Sequence, residues 1–246
     1  MTSPSPTPSH GATILIGQLT GNHIRSCAPA LPFGQSVRGS RDLFYDPVSR
    51  SNLLLAGPAR SGKSNAGDVL AAVARVQGAS VLGIRAQGVE DSRFSSFANG
   101  LEDAERIIVN LYTELRKRMA TLKKKDLRSV EYLPARQQPE HIFLFVDGLA
   151  KLPMQTSLHG EELKEARSEF YSYLKRAIDL LSRVGVLVRI HVIVVTDRPV
   201  AKAPWNTGVL KMRTAGKGTF DDGFTVPESV DVWPAPSDQE LVAELV

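Results

Sequence analysis

Cysteine is almost missing from this chain: Cys27 stands alone among 246 residues. A single thiol excludes an internal disulfide and suits a reducing compartment, and without an activating setting it reads as a packing residue. Long apolar runs are missing too. No stretch approaches the roughly 20 residues that a membrane helix needs; the longest apolar segments, near 141–146 and 184–195, read as buried strands. The opening residues, MTSPSPTPSH, have neither the basic nor the apolar region of an export signal, so a cytoplasmic protein is expected. Histidine is scarce, and its five copies show no ligand spacing, which leaves no zinc site and no Ser-His-Asp set to be read. His141 and His191 fall in apolar strands and read as packing residues. Charge of one sign is not dominant either. Thirty basic against 26 acidic residues give a net charge of +4, which permits nucleic-acid binding without demanding it.

What is present is enough apolar material, 42%, to fill the core of one α/β domain. Residues 1–11, rich in Ser, Thr and Pro, are expected to form a disordered tail. ATILIGQLT (12–20) reads as a first strand, and the segment Phe33 to Asp46 as an edge strand. NLLLAG, from Asn52, is a short apolar run ending in glycine. SNAGDVLAAVARV (64–76) has helical patterning and is closed by Gly78. SVLGI (80–84) reads as a strand. A long helix is predicted over 102–125, where Ile107, Ile108, Leu111, Leu115, Met119 and Leu122 recur at helical spacing. HIFLFVD (141–147) is a strand, 160–183 a helix, and RIHVIVVTD (189–197) a strand stopped by Pro199. Beyond it, Gly216, Gly218 and Gly223 suggest loops. The division is then one domain over 12–215 and a loop-rich acidic tail over 216–246. Strands alternating with helices predict a mainly parallel, doubly wound sheet with helices on both faces.

The densest chemistry lies at Gly57-Pro58-Ala59-Arg60-Ser61-Gly62-Lys63-Ser64, a complete G-x-x-x-x-G-K-[ST] phosphate loop. Its spacing follows from its task. Backbone N–H groups wrap the phosphates, so glycine is needed where the chain bends or approaches closely. Lys63 supplies a cation between the outer phosphates, and the Ser64 hydroxyl ligates magnesium. The following helix points its positive end at the anion. An accidental octet would lack this setting between an apolar strand and a helix. ATP with Mg2+ is the expected ligand, in a P-loop NTPase fold of the RecA, or additional-strand, class.

P-loop enzymes hold their magnesium with a second group, an aspartate ending a neighbouring apolar strand. Asp147, after HIFLFV, fits that role; the plainer alternative is a turn or capping residue. Many ATPases of the additional-strand class place a glutamate directly after this aspartate to activate water. Here Gly148 stands there, and glycine has no side chain to accept a proton. Thr196 and Asp197 end a strand that, in this class, lies between the P-loop strand and the aspartate strand. Thr196 is a candidate sensor of the terminal phosphate. Asp197 either orients water or simply pairs with Arg198 or caps a turn.

Taken in order, these residues resemble the FtsK/SpoIIIE superfamily of DNA-translocating motors, over roughly Leu31 to Arg213. LPFGQSVRGSRDLFYDPVSRSNLLLAGPARSGKS is similar to the family's first strand, spacer and P-loop. LYTELRKRMATLKK, ahead of HIFLFVDGLAKL, is similar to its helix before the metal-aspartate strand. RVGVLVRIHVIVVTDRP is similar to the strand that usually ends in Thr-Gln-Arg-Pro, with Asp197 in place of the glutamine. The resemblance implies an ATP-driven pump for double-stranded DNA, built as a homo-oligomeric, hexameric ring with nucleotide between subunits. It implies catalytic roles for Lys63, Thr196 and Asp197. The same superfamily includes type VII secretion motors, some of whose ATPase domains carry Val-Asp-Gly at this place and are thought to turn over weakly or not at all. Phe145-Val146-Asp147-Gly148 therefore also fits a nucleotide-binding regulatory module. A P-loop kinase is a third reading, without identifiable lid arginines. Neither the family's winged-helix domain nor its membrane spans match anything here.

Between Arg106 and Arg128 lie eight basic residues and only two acidic ones, Glu114 and Asp126. Arg106, Arg116, Lys117, Arg118, Lys123, Lys124 and Lys125 are expected on the polar face of the long helix. Such a face either tracks duplex phosphates or is simply solvated. Only Tyr112 is aromatic within it, so base stacking is not suggested.

Overall fold

Four short apolar runs, each four to seven residues of Leu, Ile, Val and Phe with few interruptions, become the centre of one sheet. The computed structural model describes residues 30–37, 41–86, 92–154, 159–197, 207–214, 216–221 and 227–235. The strand expected at 12–20, Cys27, Arg198, Pro199 and Gly223 lie outside these residues. The strands are β1 (Leu31–Ser36), β2 (Asp42–Tyr45), β3 (Asn52–Ala56), β4 (Ser80–Arg85), β5 (Ser96–Ala98), β6 (Ile142–Asp147), β7 (Ile190–Thr196), β8 (Thr207–Thr214), β9 (Lys217–Asp221) and β10 (Glu228–Val232). The helices are α1 (Lys63–Val76), α2 (Leu101–Lys124) and α3 (Gly160–Val184).

The sheet runs in the order β2-β1-β10-β9-β8-β3-β7-β6-β4-β5. From β8 to β5 every neighbour is parallel. From β8 outward to β2 every neighbour is antiparallel. Helices cover the two faces, as the strand–helix alternation predicts. Successive residues of a strand point to opposite faces, and the core divides accordingly. Leu53, Leu55, Phe143, Phe145, Ile193 and Val195 pack with Val69, Leu70 and Val73 of α1. Leu144, Val146, Ile190 and Val192 pack with Ile108 and Leu111 of α2 and Leu174 and Leu181 of α3. Each such side chain, fully buried, contributes roughly 1.5–3 kcal/mol.

Residues 217–221 and 228–232, inside the stretch expected to be loop-rich, are strands of this same sheet. Their polar residues explain the difference. On β10 Val230 and Val232 are buried while Ser229 and Asp231 face solvent, a two-residue alternation easily mistaken for an acidic loop. The carboxyl-terminal segment then returns to α1. Asn65 donates to the Trp233 carbonyl (2.8 Å) and accepts from the Ala235 N–H (2.9 Å).

The long helix keeps its expected apolar stripe, with Ile107, Ile108, Leu111, Leu115 and Leu122 buried. Met119 is the exception, at 37% exposed. The basic face also loses one expected member. Arg118 is buried, and its guanidinium is held by the Glu114 carboxylate (2.7 Å) and by the carbonyls of Glu140 (2.9 Å) and Val188 (2.8 Å). Arg106, Arg116, Lys117, Lys123, Lys124 and Lys125 remain exposed.

Candidate functional site

Because β3, β7, β6 and β4 are parallel and adjacent, their carboxyl ends share one edge of the sheet. Ligands in open α/β sheets bind at such edges. The register brings Ala56 opposite Thr196, Asp147 opposite Val195, and Arg85 opposite Asp147. Sequence-distant residues 56, 85, 147 and 196 therefore end in one row.

The phosphate loop leaves β3 at Gly57. A Cβ there would lie 2.3 Å from the Met212 carbonyl oxygen and 2.9 Å from Ser61 Oγ, so only glycine lets the loop pass β8. The Gly57 N–H donates to the Thr196 carbonyl (3.3 Å), which ties the loop to β7. Pro58, Ala59 and Arg60 form an exposed crest. The chain turns back through Gly62 at φ 91°, left-handed geometry that a side chain would strain. It enters α1 at Lys63, so Lys63 and Ser64 occupy the positive end of a 14-residue helix.

The two residues expected from sequence to hold magnesium lie side by side. Ser64 Oγ donates to Asp147 Oδ2 at 2.9 Å. Lys63 is buried, at 6% exposed, yet it is a cation. Its ammonium is held by the Pro58 carbonyl (2.6 Å) and by Asp197 Oδ1 (2.9 Å). The other Asp197 oxygen lies 3.3 Å from the Lys151 ammonium. Hydrogen bonding from Lys63, then from Lys151, holds the Asp197 carboxyl below the usual aspartate range. Thr196 ends β7 in the same row, next to Asp197.

The donor set fits a phosphate chain with a hard divalent cation. Ser61 Oγ is buried inside the loop with no hydrogen-bond partner among the described residues. Among the described residues, Lys63 is held by a loop carbonyl and one half-exposed carboxylate. Magnesium bound to nucleotide needs only one or two protein oxygens, the rest coming from phosphate and water, and Ser64 with Asp147 supply two.

Gly148 follows Asp147 at φ 71°, and a Cβ there would come 3.1 Å from the Ala86 Cβ. This left-handed backbone would strain any side chain placed there. The turn it starts, closed by Lys151 N–H to Gly148 O at 2.7 Å, delivers Lys151 to Asp197.

Four charged residues of this edge were not singled out by motif. Arg85, at the tip of β4, lies 2.7 Å from Asp68 Oδ1 and 3.7 Å from Asp147 Oδ2. Arg93 lies 3.2 Å from the other Asp68 oxygen. Lys151 is the fourth. Two signals were available in principle: Asp68 stands four residues after Ser64, on one helix face, and Arg85 ends a strand beside the P-loop strands.

Among the described residues no helix is long and apolar enough to cross a membrane. No family model and no curated protein matches the sequence. Solved structures do. TcpA, the pCW3 conjugation coupling protein in a monomer form with ATPγS, matches at TM-score 0.67 and 15% identity, over 89% of this chain and 71% of that one. ATPases 2 and 3 of EssC from Geobacillus thermodenitrificans match at 0.65 and 14%, over 89% and 47%. The cytoplasmic domain of the type VII secretion ATPase EccC from Thermomonospora curvata matches at 0.57 and 14%, over 85% and 27%. This chain spans less than half of either secretion protein chain.

The mixed α/β sheet and these neighbours define the class: the chain has an α/β P-loop ATPase fold. It shares that fold with the conjugation coupling protein and with the secretion ATPase domains named above.

Proposed function

We propose that this chain binds ATP with Mg2+ at the Gly57–Ser64 loop and serves as a motor ATPase domain that moves double-stranded DNA. One observation carries the nucleotide half: the Ser64 hydroxyl meets the Asp147 carboxylate at 2.9 Å, at the mouth of a loop whose lysine is buried. In this reading the loop amides from Gly57 to Ser64 and the Lys63 ammonium hold the phosphates. Ser64 and Asp147 hold the cation, and Arg85 steadies Asp147. Thr196 faces the terminal phosphate. Bound Mg2+ would neutralise charge on the outer phosphates.

Likeness to a conjugation coupling protein supports DNA as the moved polymer. So does the row of exposed cations on α2, each phosphate contact adding to affinity and to salt dependence. A homo-oligomeric ring in the cytoplasm completes the proposal, since Gly148 brings no carboxylate of its own and a neighbouring subunit is the natural source of further catalytic groups.

Phosphate release by the purified chain, with and without duplex DNA, tests this. The expected result is release that DNA stimulates, that falls with salt, and that Lys63→Ala abolishes. Tight ATP binding with no release under either condition would favour a regulatory, non-hydrolysing module instead.

A further inference from the structure

The geometry around Asp197 gives it a job other than chemistry. Its two carboxylate oxygens face two ammonium groups from different elements: Lys63 at the start of α1 (2.9 Å) and Lys151 after β6 (3.3 Å). Lys63 is the cation that a phosphate loop directs at the outer phosphates. It has 6% exposure and, besides Asp197, a contact with one neutral carbonyl. A carboxylate resembles a phosphate to such a lysine: a compact anion with oxygens at hydrogen-bond distance. Asp197 itself is half exposed, at 53%, so it can leave at little cost.

We propose that Asp197 is an anionic stand-in for a nucleotide phosphate, a latch that holds Lys63 until a real phosphate displaces it. This rests on the nucleotide-binding reading above. The competition is direct, because Lys63 cannot keep Asp197 Oδ1 at 2.9 Å and also carry a phosphate in the same direction. When displaced, Asp197 keeps Lys151, whose ammonium then holds the carboxylate away from the incoming anion. The latch therefore lowers nucleotide affinity without blocking the site. It also explains a conflict within the sequence. A carboxylate beside a phosphate chain is electrostatically unfavourable unless it has cations of its own, and Lys151 is placed to be one.

The test is equilibrium binding of a fluorescent MgADP and of MgATPγS to the intact chain, at low and high salt. Asp197→Asn keeps the shape and removes the charge. It should tighten both ligands roughly 3- to 30-fold at low salt, and the gain should shrink at high salt as exposed charges are screened. Asp197→Ala should behave alike, which separates the charge from any hydrogen bond the asparagine makes. Lys63→Ala should bind weakly whether or not Asp197 is also changed. Unchanged or weaker binding in Asp197→Asn, with the parent chain binding well, overturns the latch and leaves nucleotide binding intact. No binding by the parent chain or by either Asp197 variant sinks both. Binding that appears only when Asp197 is neutralised supports the latch.

Discussion

The two ends of the same four parallel strands solve opposite problems. At the carboxyl ends, polar and charged groups meet in pairs drawn from different elements: Lys63 with Asp197, Ser64 with Asp147, Arg85 with Asp68. At the amino ends, polar groups are buried and permanently satisfied. His141 and His191 stack with Nδ1 to Nε2 at 2.9 Å, and His191 Nδ1 reaches the Ser51 carbonyl at 3.1 Å. Arg118 and Arg189 close the same end, Arg189 through Glu131, Gln138 and the Pro139 carbonyl. One end holds the register of β3, β7 and β6. The other uses that register to line up groups that must change partners. Rigid support behind a mobile-charge edge is what a site for a transient polyanion requires.

This contrast is open to breakage from its rigid side. Arg118→Ala removes the donor to two strand-end carbonyls and leaves Glu114 without its main partner. The expected loss is about 3 kcal/mol of folding stability by denaturant unfolding, with nucleotide affinity of the folded fraction unchanged. A large loss of affinity with full stability would show that the two ends are not separate.

Acid attacks the same end. Burial is the main cause holding both His141 and His191 at a pKa of about 3. The unfolded chain, with histidine near 6.5, therefore binds more protons than the folded one below that pH. Stability is fully present above pH 6.5 and is lost as pH falls from there toward 3. About 3 kcal/mol should go between pH 6.5 and 5, and replacing both histidines with glutamine should flatten that slope. A slope that survives the double replacement would place the acid-sensitive groups elsewhere.

A smaller effect sharpens the other side. Gly148→Glu restores the missing carboxylate in composition but puts a side chain at φ 71°, against Ala86. It should cost about 1–2 kcal/mol of stability. A neutral result in thermal unfolding would mean that the turn after Asp147 rearranges freely.

Much of the rigid scaffold was legible in the sequence. Unbroken apolar runs located β3, β4, β6 and β7, and helical spacing located α1, α2 and α3. That Gly57–Ser64, Asp147 and Thr196 share one edge was legible as well, because strand ends of a parallel sheet must meet. Other parts were not. β10 alternates apolar with polar residues and β9 has one large apolar residue, Phe220; neither carries an unbroken run, so Glu228 and Asp231 read as tail. Arg118 sits among six exposed cations of identical chemistry, and only the three-dimensional path of Glu140 and Val188 marks it as buried. The ion partners that Asp197 does show were not legible for a similar reason. Arg198 is its neighbour in sequence, but among the described residues the ions at hand are Lys63 and Lys151, from 134 and 46 positions away.

Titration of MgATP into the chain by calorimetry tests the central claim most directly. The expected result is a saturable heat that weakens roughly tenfold or more in Lys63→Ala, and likewise in Asp147→Asn when magnesium is present. Absence of heat in the parent chain, or equal heat in all three proteins, would contradict a phosphate-binding edge at Gly57–Ser64.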